Sequence, residues 1–167
     1  MLYIVLSIIV VFLLQTTIHE GCHAIMALIQ GQGIKSFKPY PHFVSVNNKK
    51  KLYFGRVVFE HNYRSKSYQK TLRSWAPFIF CVPLFFIMFF VHLIINDFVY
   101  EFYLYWAALS IDVCRGLVLS MFPNKMVDIN NGARFIKMPQ KTLQYFSIPL
   151  ASFMSFVLLF SLIDRIL

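Results

Sequence analysis

The sequence predicts an all-α polytopic membrane protein: about four transmembrane helices, with a small cytoplasmic β-hairpin region between the first and the second. Three observations carry this. Of the 167 residues, 58% are hydrophobic, 18% aromatic and only 14% charged; a soluble domain of this length has no core large enough to hide 19 Phe. The apolar residues fall in runs of about twenty, the length that crosses a bilayer. The charges collect in the gaps between those runs, with ten basic residues and one acid, Glu60, between positions 31 and 74.

The elements follow in chain order within a single domain, 1–167. Residues 2–30 form the first span. The segment has no basic n-region and no small-residue cleavage site, so it reads as a retained helix rather than a signal peptide. Gly31 and Gly33 terminate it. The loop 31–74 is the one sizeable polar region. Pro39 and Pro41 exclude a helix early in it, and 42–46, Asn47-Asn48 and 51–59 read as strand, turn, strand. Residues 63–73 look like an amphipathic, interfacial approach to the second span, 75–95, with Trp75 as an interfacial anchor. A short acidic turn, 96–101, leads to the third span, 98–120, which Pro123 breaks. Within that span Asp112 and Arg115 stand three apart and form an ion pair. The loop 121–144 is a polar connection, and 145–165 is the fourth span.

The charges also orient the spans. The 121–144 loop carries Lys125, Arg134, Lys137 and Lys141 against Asp128, whereas 96–101 carries two acids and no base. By the positive-inside rule both basic loops are cytoplasmic and both termini face outward. The expected location is a bacterial-type cell membrane, multi-pass, with the lipid bilayer itself as a partner. The net charge of +9 is accounted for by this topology and by attraction to anionic lipid. Nucleic acid is not an expected partner, because no aromatic-interleaved recognition motif accompanies the lysines. Cys22, Cys81 and Cys114 all fall in apolar segments, which gives neither a disulfide framework nor a Cys-x-x-Cys zinc pattern.

Inside the first span stands His19-Glu20-Gly21-Cys22-His23. Residues four apart on a helix share a face, so His19 and His23 can offer two imidazole nitrogens to one metal. Glu20, about 100° round the helix from His19, is placed to act as general base on a metal-bound water. Charged groups at such depth cost about 2.5–3.5 kcal/mol each on insertion scales and mark function by default. Zn2+ suits this donor set. Gln15 and Thr16, one turn earlier, can supply supporting hydrogen bonds to the ligands or bonds between helices. His42 and His61 read as surface residues of a polar loop, and Cys22 as small helix filler.

A third ligand should come from the cytoplasmic half of another span. Asp128 follows the third helix on that side; Asp112 lies deeper, so both are candidates at this point.

The chain resembles the site-2 protease family of intramembrane zinc metalloproteases. The likeness rests on the His-Glu-x-x-His helix and on 119–128, Leu-Ser-Met-Phe-Pro-Asn-Lys-Met-Val-Asp, whose spacing from Pro123 to Asp128 is that of the family's Asn-x-x-Pro…Asp-Gly motif. Gly132 and Arg134 resemble the Gly-Gly-Arg that follows in relatives. Arg73-Ser-Trp-Ala-Pro77 is similar to the family's Ala-Gly-Pro. The pattern departs at Ser120, where the family has Asn, and at Ile129-Asn130-Asn131, which interrupt the Asp-Gly. The resemblance implies zinc held by His19, His23 and Asp128, with Glu20 as the catalytic base. It implies hydrolysis of a peptide bond in or near the transmembrane segment of a membrane protein or signal-peptide remnant, toward the cytoplasmic side. Ser120 leaves the oxyanion partner open, with Asn130, Asn131 or backbone N–H groups as candidates. Two other classes fit the same residues: an inactive relative that binds transmembrane segments without cutting, and a metal-binding membrane subunit in which His92 and Asp112 extend a polar path.

Overall fold

A computed structural model describes residues 2–46, 49–60, 65–95, 100–122 and 128–166. The Asn47-Asn48 turn, His61, the 96–99 stretch and Pro123, all invoked above, lie outside the described residues. The chain runs α1 (Leu2–Ile29), β1 (Ile34–Lys38), β2 (His42–Val46), β3 (Lys49–Tyr53), β4 (Arg56–Phe59), α2 (Ser67–Ile94), α3 (Tyr100–Ser120), α4 (Asp128–Phe135) and α5 (Gln140–Ile166). Among the described residues four helices, α1, α2, α3 and α5, are long and apolar enough to cross a membrane.

α1 is apolar nearly all round, the pattern of a helix that is buried or spans a membrane. It ends where expected: Gly31 adopts φ +73°, and the amides of Gly31 and Gln32 turn back to the carbonyls of Leu28 and Ala27, both at 2.9 Å. A left-handed glycine closes the last carbonyls in this way. Gly33 lies directly against the Glu60 carboxylate, which would have to swing aside for a side chain there.

The β region differs from the expected single hairpin. β2 pairs with β3 and β1 with β4, both antiparallel, in registers that run from Val46↔Lys49 to His42↔Tyr53 and from Lys38↔Arg56 to Ile34↔Phe59. The two sheets are halves of one ribbon, interrupted where residues 39–41 face residues 54–55. Pro39 and Pro41 lack the N–H that a ladder needs, which explains the gap. The strand expected at 51–59 therefore breaks at Phe54-Gly55, and β1, not expected, is recruited by pairing with its second half.

α2 begins at Ser67 rather than at 75, absorbing the amphipathic approach. The Lys66 amide donates to Gln69 Oε1 at 2.8 Å, which caps the helix start. Thr71 and Arg73 are buried in these first turns. The 121–144 connection also contains a helix, α4, that its composition conceals: Asn130, Asn131 and Gly132 are poor helix formers. Packing compensates. Thr71 Oγ1 donates to the Gly132 carbonyl at 2.9 Å and Trp75 Nε1 to the Ile129 carbonyl at 3.0 Å. Trp75, expected as an interfacial anchor, lays its indole flush against Gly132.

The core joins α2, α3 and α5 around Phe85, Trp106, Leu109 and Met154, all at 0% exposure. The helix ends sort into two groups. Tyr3 hydrogen-bonds Glu101 at one end, joining the starts of α1 and α3. At the other end Ser120 and Ser147 hydroxyls bond at 2.8 Å, joining the end of α3 to the start of α5. The ribbon and α4 belong to this second end, where α1 also finishes.

Candidate metal centre

The stripe Gln15, His19, His23 recurs every fourth residue and so faces one direction from α1. Into that face α2, α3 and α4 each contribute one partner. His23 Nδ1 donates to the backbone carbonyl of Arg73 in α2 at 2.6 Å. His19 Nδ1 lies 2.8 Å from Asp112 Oδ2 in α3. A carbonyl and a carboxylate accept only, so each imidazole carries a hydrogen on Nδ1 and turns Nε2 inward. Those two Nε2 atoms meet one oxygen: Asp128 Oδ2, the first residue of α4, stands 3.2 Å from His19 Nε2 and 3.4 Å from His23 Nε2. His19, His23 and Asp128 are a group that could hold a metal ion, with one ligand atom from each within 4.8 Å of the others.

The cluster is partly shielded. The side chains of His19 and His23 are 16% and 12% exposed, and that of Asp128 is 34% exposed. Burial pushes the Asp128 carboxyl up, but when the two imidazoles are protonated their Nε2–H bonds and charge outweigh it and hold the group well below the usual carboxylate range. It is therefore ionised and available as a ligand across the neutral range.

The three expected ligands thus come together, with Asp128 and not Asp112 on the inner nitrogens. Asp112 corrects the sequence reading in a different respect. It pairs with Arg115 as expected, Oδ1 accepting at 3.1 Å, yet it does not stand apart from the site. Its Oδ2 accepts from His19 and also from Gln15 Nε2 at 3.1 Å, so three donors from two helices fix it against the outer nitrogen. Gln15 belongs to this support, while Thr16 bonds back to the Phe12 carbonyl.

Glu20, half-buried, points toward the ribbon. Gly55, at the break between β3 and β4, lies directly against it: a β-carbon there would stand 2.5 Å from Glu20 Cγ. Phe54 meets Phe12 edge-on, two turns earlier on α1, with ring centroids 5.8 Å apart. The interruption of the ribbon is thus seated on the helix that carries the histidines. Neither Gly55 nor the Arg73 carbonyl was foreseeable by residue type, since one acts by having no side chain and the other through its backbone.

Ser120 faces away. It is fully buried, donates to the Leu117 carbonyl at 2.6 Å and meets Ser147. Asn130 donates to the Phe122 carbonyl at 2.7 Å and Gln144 to the Met121 carbonyl at 2.8 Å. These amides satisfy the carbonyls of the two residues that follow α3. His42 bonds to the Tyr40 carbonyl in the ribbon and His92 to Tyr103 at the other end of the bundle, so neither joins the cluster. Cys22 is packed in the core, as small filler would be.

No protein-family model, no curated protein and no solved structure matches this chain.

Proposed function

We propose that the chain is an intramembrane zinc metalloprotease of the site-2 protease type, cutting a peptide bond in or near a transmembrane segment on the cytoplasmic side. The observation that carries the proposal is the orientation of the two imidazoles: each has its Nδ1 tied off by a separate helix, so both Nε2 atoms and one ionised carboxylate oxygen converge on a single point. Ligands about 2.0–2.1 Å from a tetrahedral zinc stand about 3.3–3.4 Å from one another. The 3.2 and 3.4 Å separations of Asp128 Oδ2 from the two Nε2 atoms fit that spacing. Three protein ligands leave a fourth position for water, the pattern of a catalytic rather than a structural site.

When bound, zinc supplies an acidified water and a Lewis acid for the scissile carbonyl. His19, His23 and Asp128 would hold the ion. Glu20 orients the attacking water, accepts its proton and returns that proton to the leaving amine. Gly55 limits the swing of the Glu20 side chain. A helical substrate hides its carbonyls in i→i−4 bonds, so it must reach this point unwound. The four apolar helices and the basic ends of the bundle support a multi-pass protein with the site toward the cytoplasm.

Purified full-length protein should contain about one zinc per chain. Co-expression with a panel of single-pass membrane proteins should yield a cleaved product that Glu20→Gln abolishes while zinc is retained. Zinc-free wild type would sink the metal reading; cleavage that survives Glu20→Gln would sink the mechanism.

A second reading is favoured by one observation. Ser120, standing at the place of the family's Asn, is turned into the α3–α5 contact and offers nothing to an oxyanion. A protein that holds transmembrane segments beside a metal without cutting them has no need of that group. Stable co-purification of uncleaved single-pass proteins with both wild type and Glu20→Gln would select this reading.

A further inference from the structure

We infer that Pro77 is a positioning residue for the metal centre, acting through the Arg73 carbonyl on His23; this rests on the metal reading above. Pro77 lies inside α2, buried, two residues beyond Trp75, which contacts α4. In an α-helix the carbonyl at each position receives the amide of the residue four further on. Position 77 is four beyond Arg73, and proline has no amide hydrogen to give. The acceptor so left to other donors is the one that takes His23 Nδ1 at 2.6 Å, a short bond for a neutral acceptor.

The consequence is specific to the imidazole. A carbonyl cannot donate, so this bond selects the tautomer with hydrogen on Nδ1 and leaves the Nε2 lone pair for the metal. Restoring an amide at 77 would set that N–H in competition with His23 for one oxygen. It would also draw the carbonyl back toward the helix axis, away from α1. The same helix contains an internal comparison. Pro83 likewise lacks an amide, but the carbonyl four residues before it belongs to Ile79, whose side chain is 40% exposed on the outer face. Among the described residues no histidine hydrogen-bonds that carbonyl.

The experiment compares Pro77→Ala with Pro83→Ala in the full chain. Zinc affinity is measured by chelator competition, thermal unfolding is followed, and the His23 tautomer is read from ring nitrogen-15 shifts in zinc-free protein. Outer partners of histidine ligands are worth about 10–100-fold in metal affinity. Pro77→Ala should lose affinity in that range and shift His23 toward the Nε2–H tautomer, while its unfolding temperature is unchanged or higher, because alanine suits a helix interior better than proline. Pro83→Ala should leave both zinc and tautomer as they are. Zinc affinity within threefold of wild type and an unaltered His23 tautomer in Pro77→Ala would overturn the inference, as would an equal loss in Pro83→Ala. The tautomer is read without metal, so the inference can fail or hold even if wild type binds no zinc, an outcome that would count against the metal reading alone.

Discussion

Gly55 and Glu20 touch across two elements whose sequences give no hint of contact: a β-carbon at 55 would stand 2.5 Å from Cγ and 2.8 Å from Oε1 of the glutamate. The first prediction follows. Gly55→Ala forces either the ribbon or the Glu20 side chain to move. A displacement of about 1 Å at a reacting group costs on the order of a hundredfold in rate. Gly55→Ala should therefore retain zinc and lose about a hundredfold in cleavage. Normal cleavage with the variant fully folded would show that the ribbon yields and does not restrain the base.

The second prediction separates the two aspartates. His19→Ala, His23→Ala and Asp128→Asn should each abolish tight zinc binding, since each removes an inward-facing donor. Asp112→Asn keeps an acceptor near His19 Nδ1 but removes its charge, so zinc should weaken by about 10–100-fold without being lost. Chelator competition on the four variants decides it. Zinc lost in Asp112→Asn and kept in Asp128→Asn would reverse the two roles.

The third concerns α4. The Trp75 indole occupies the place a side chain at 132 would need, and the same indole holds the Ile129 carbonyl. Gly132→Ala should push α4 off α2 and carry Asp128 with it, lowering zinc affinity at least tenfold. Trp75→Phe, which keeps the ring but drops the donor, should have a smaller effect. Unchanged affinity in Gly132→Ala would mean that Asp128 is located by something other than this contact.

The fourth is topological. Reporter fusions at Asn48 and Gln140 should read cytoplasmic, and fusions at Asn96 and after Leu167 should read outside. A cytoplasmic reading after Leu167 would contradict the proposed four spans.

What the sequence made legible was what depends on composition and period. Four apolar runs gave four long helices, and the i,i+4 spacing of His19 and His23 put both rings on one face. Asp128 was legible through the spacing that follows the third helix. The rest depends on tertiary contact. α4 forms from poor helix formers because Thr71 and Trp75 hold its carbonyls. β1 exists because β4 pairs with it, and its neighbouring prolines masked it. Asp112 looked self-sufficient beside Arg115 because i,i+3 partners are visible in a sequence, whereas its contact with His19 spans 93 positions. Ser120 invited a functional reading by its place in a motif, and only its burial against Ser147 shows that it holds two helices together.

The donors of the metal centre are far apart in the order of synthesis. His19 leaves the ribosome 109 positions before Asp128, and the acceptors that orient the imidazoles, at Arg73 and Asp112, emerge in between. On the proposed reading a nascent chain carries the two histidines into the bilayer long before it can hold an ion firmly. Hydrolytic competence then arrives last, only after the third span has been inserted and α4 has folded back. On that reading, the sequence distance between its ligands would keep the chain silent during its own biogenesis.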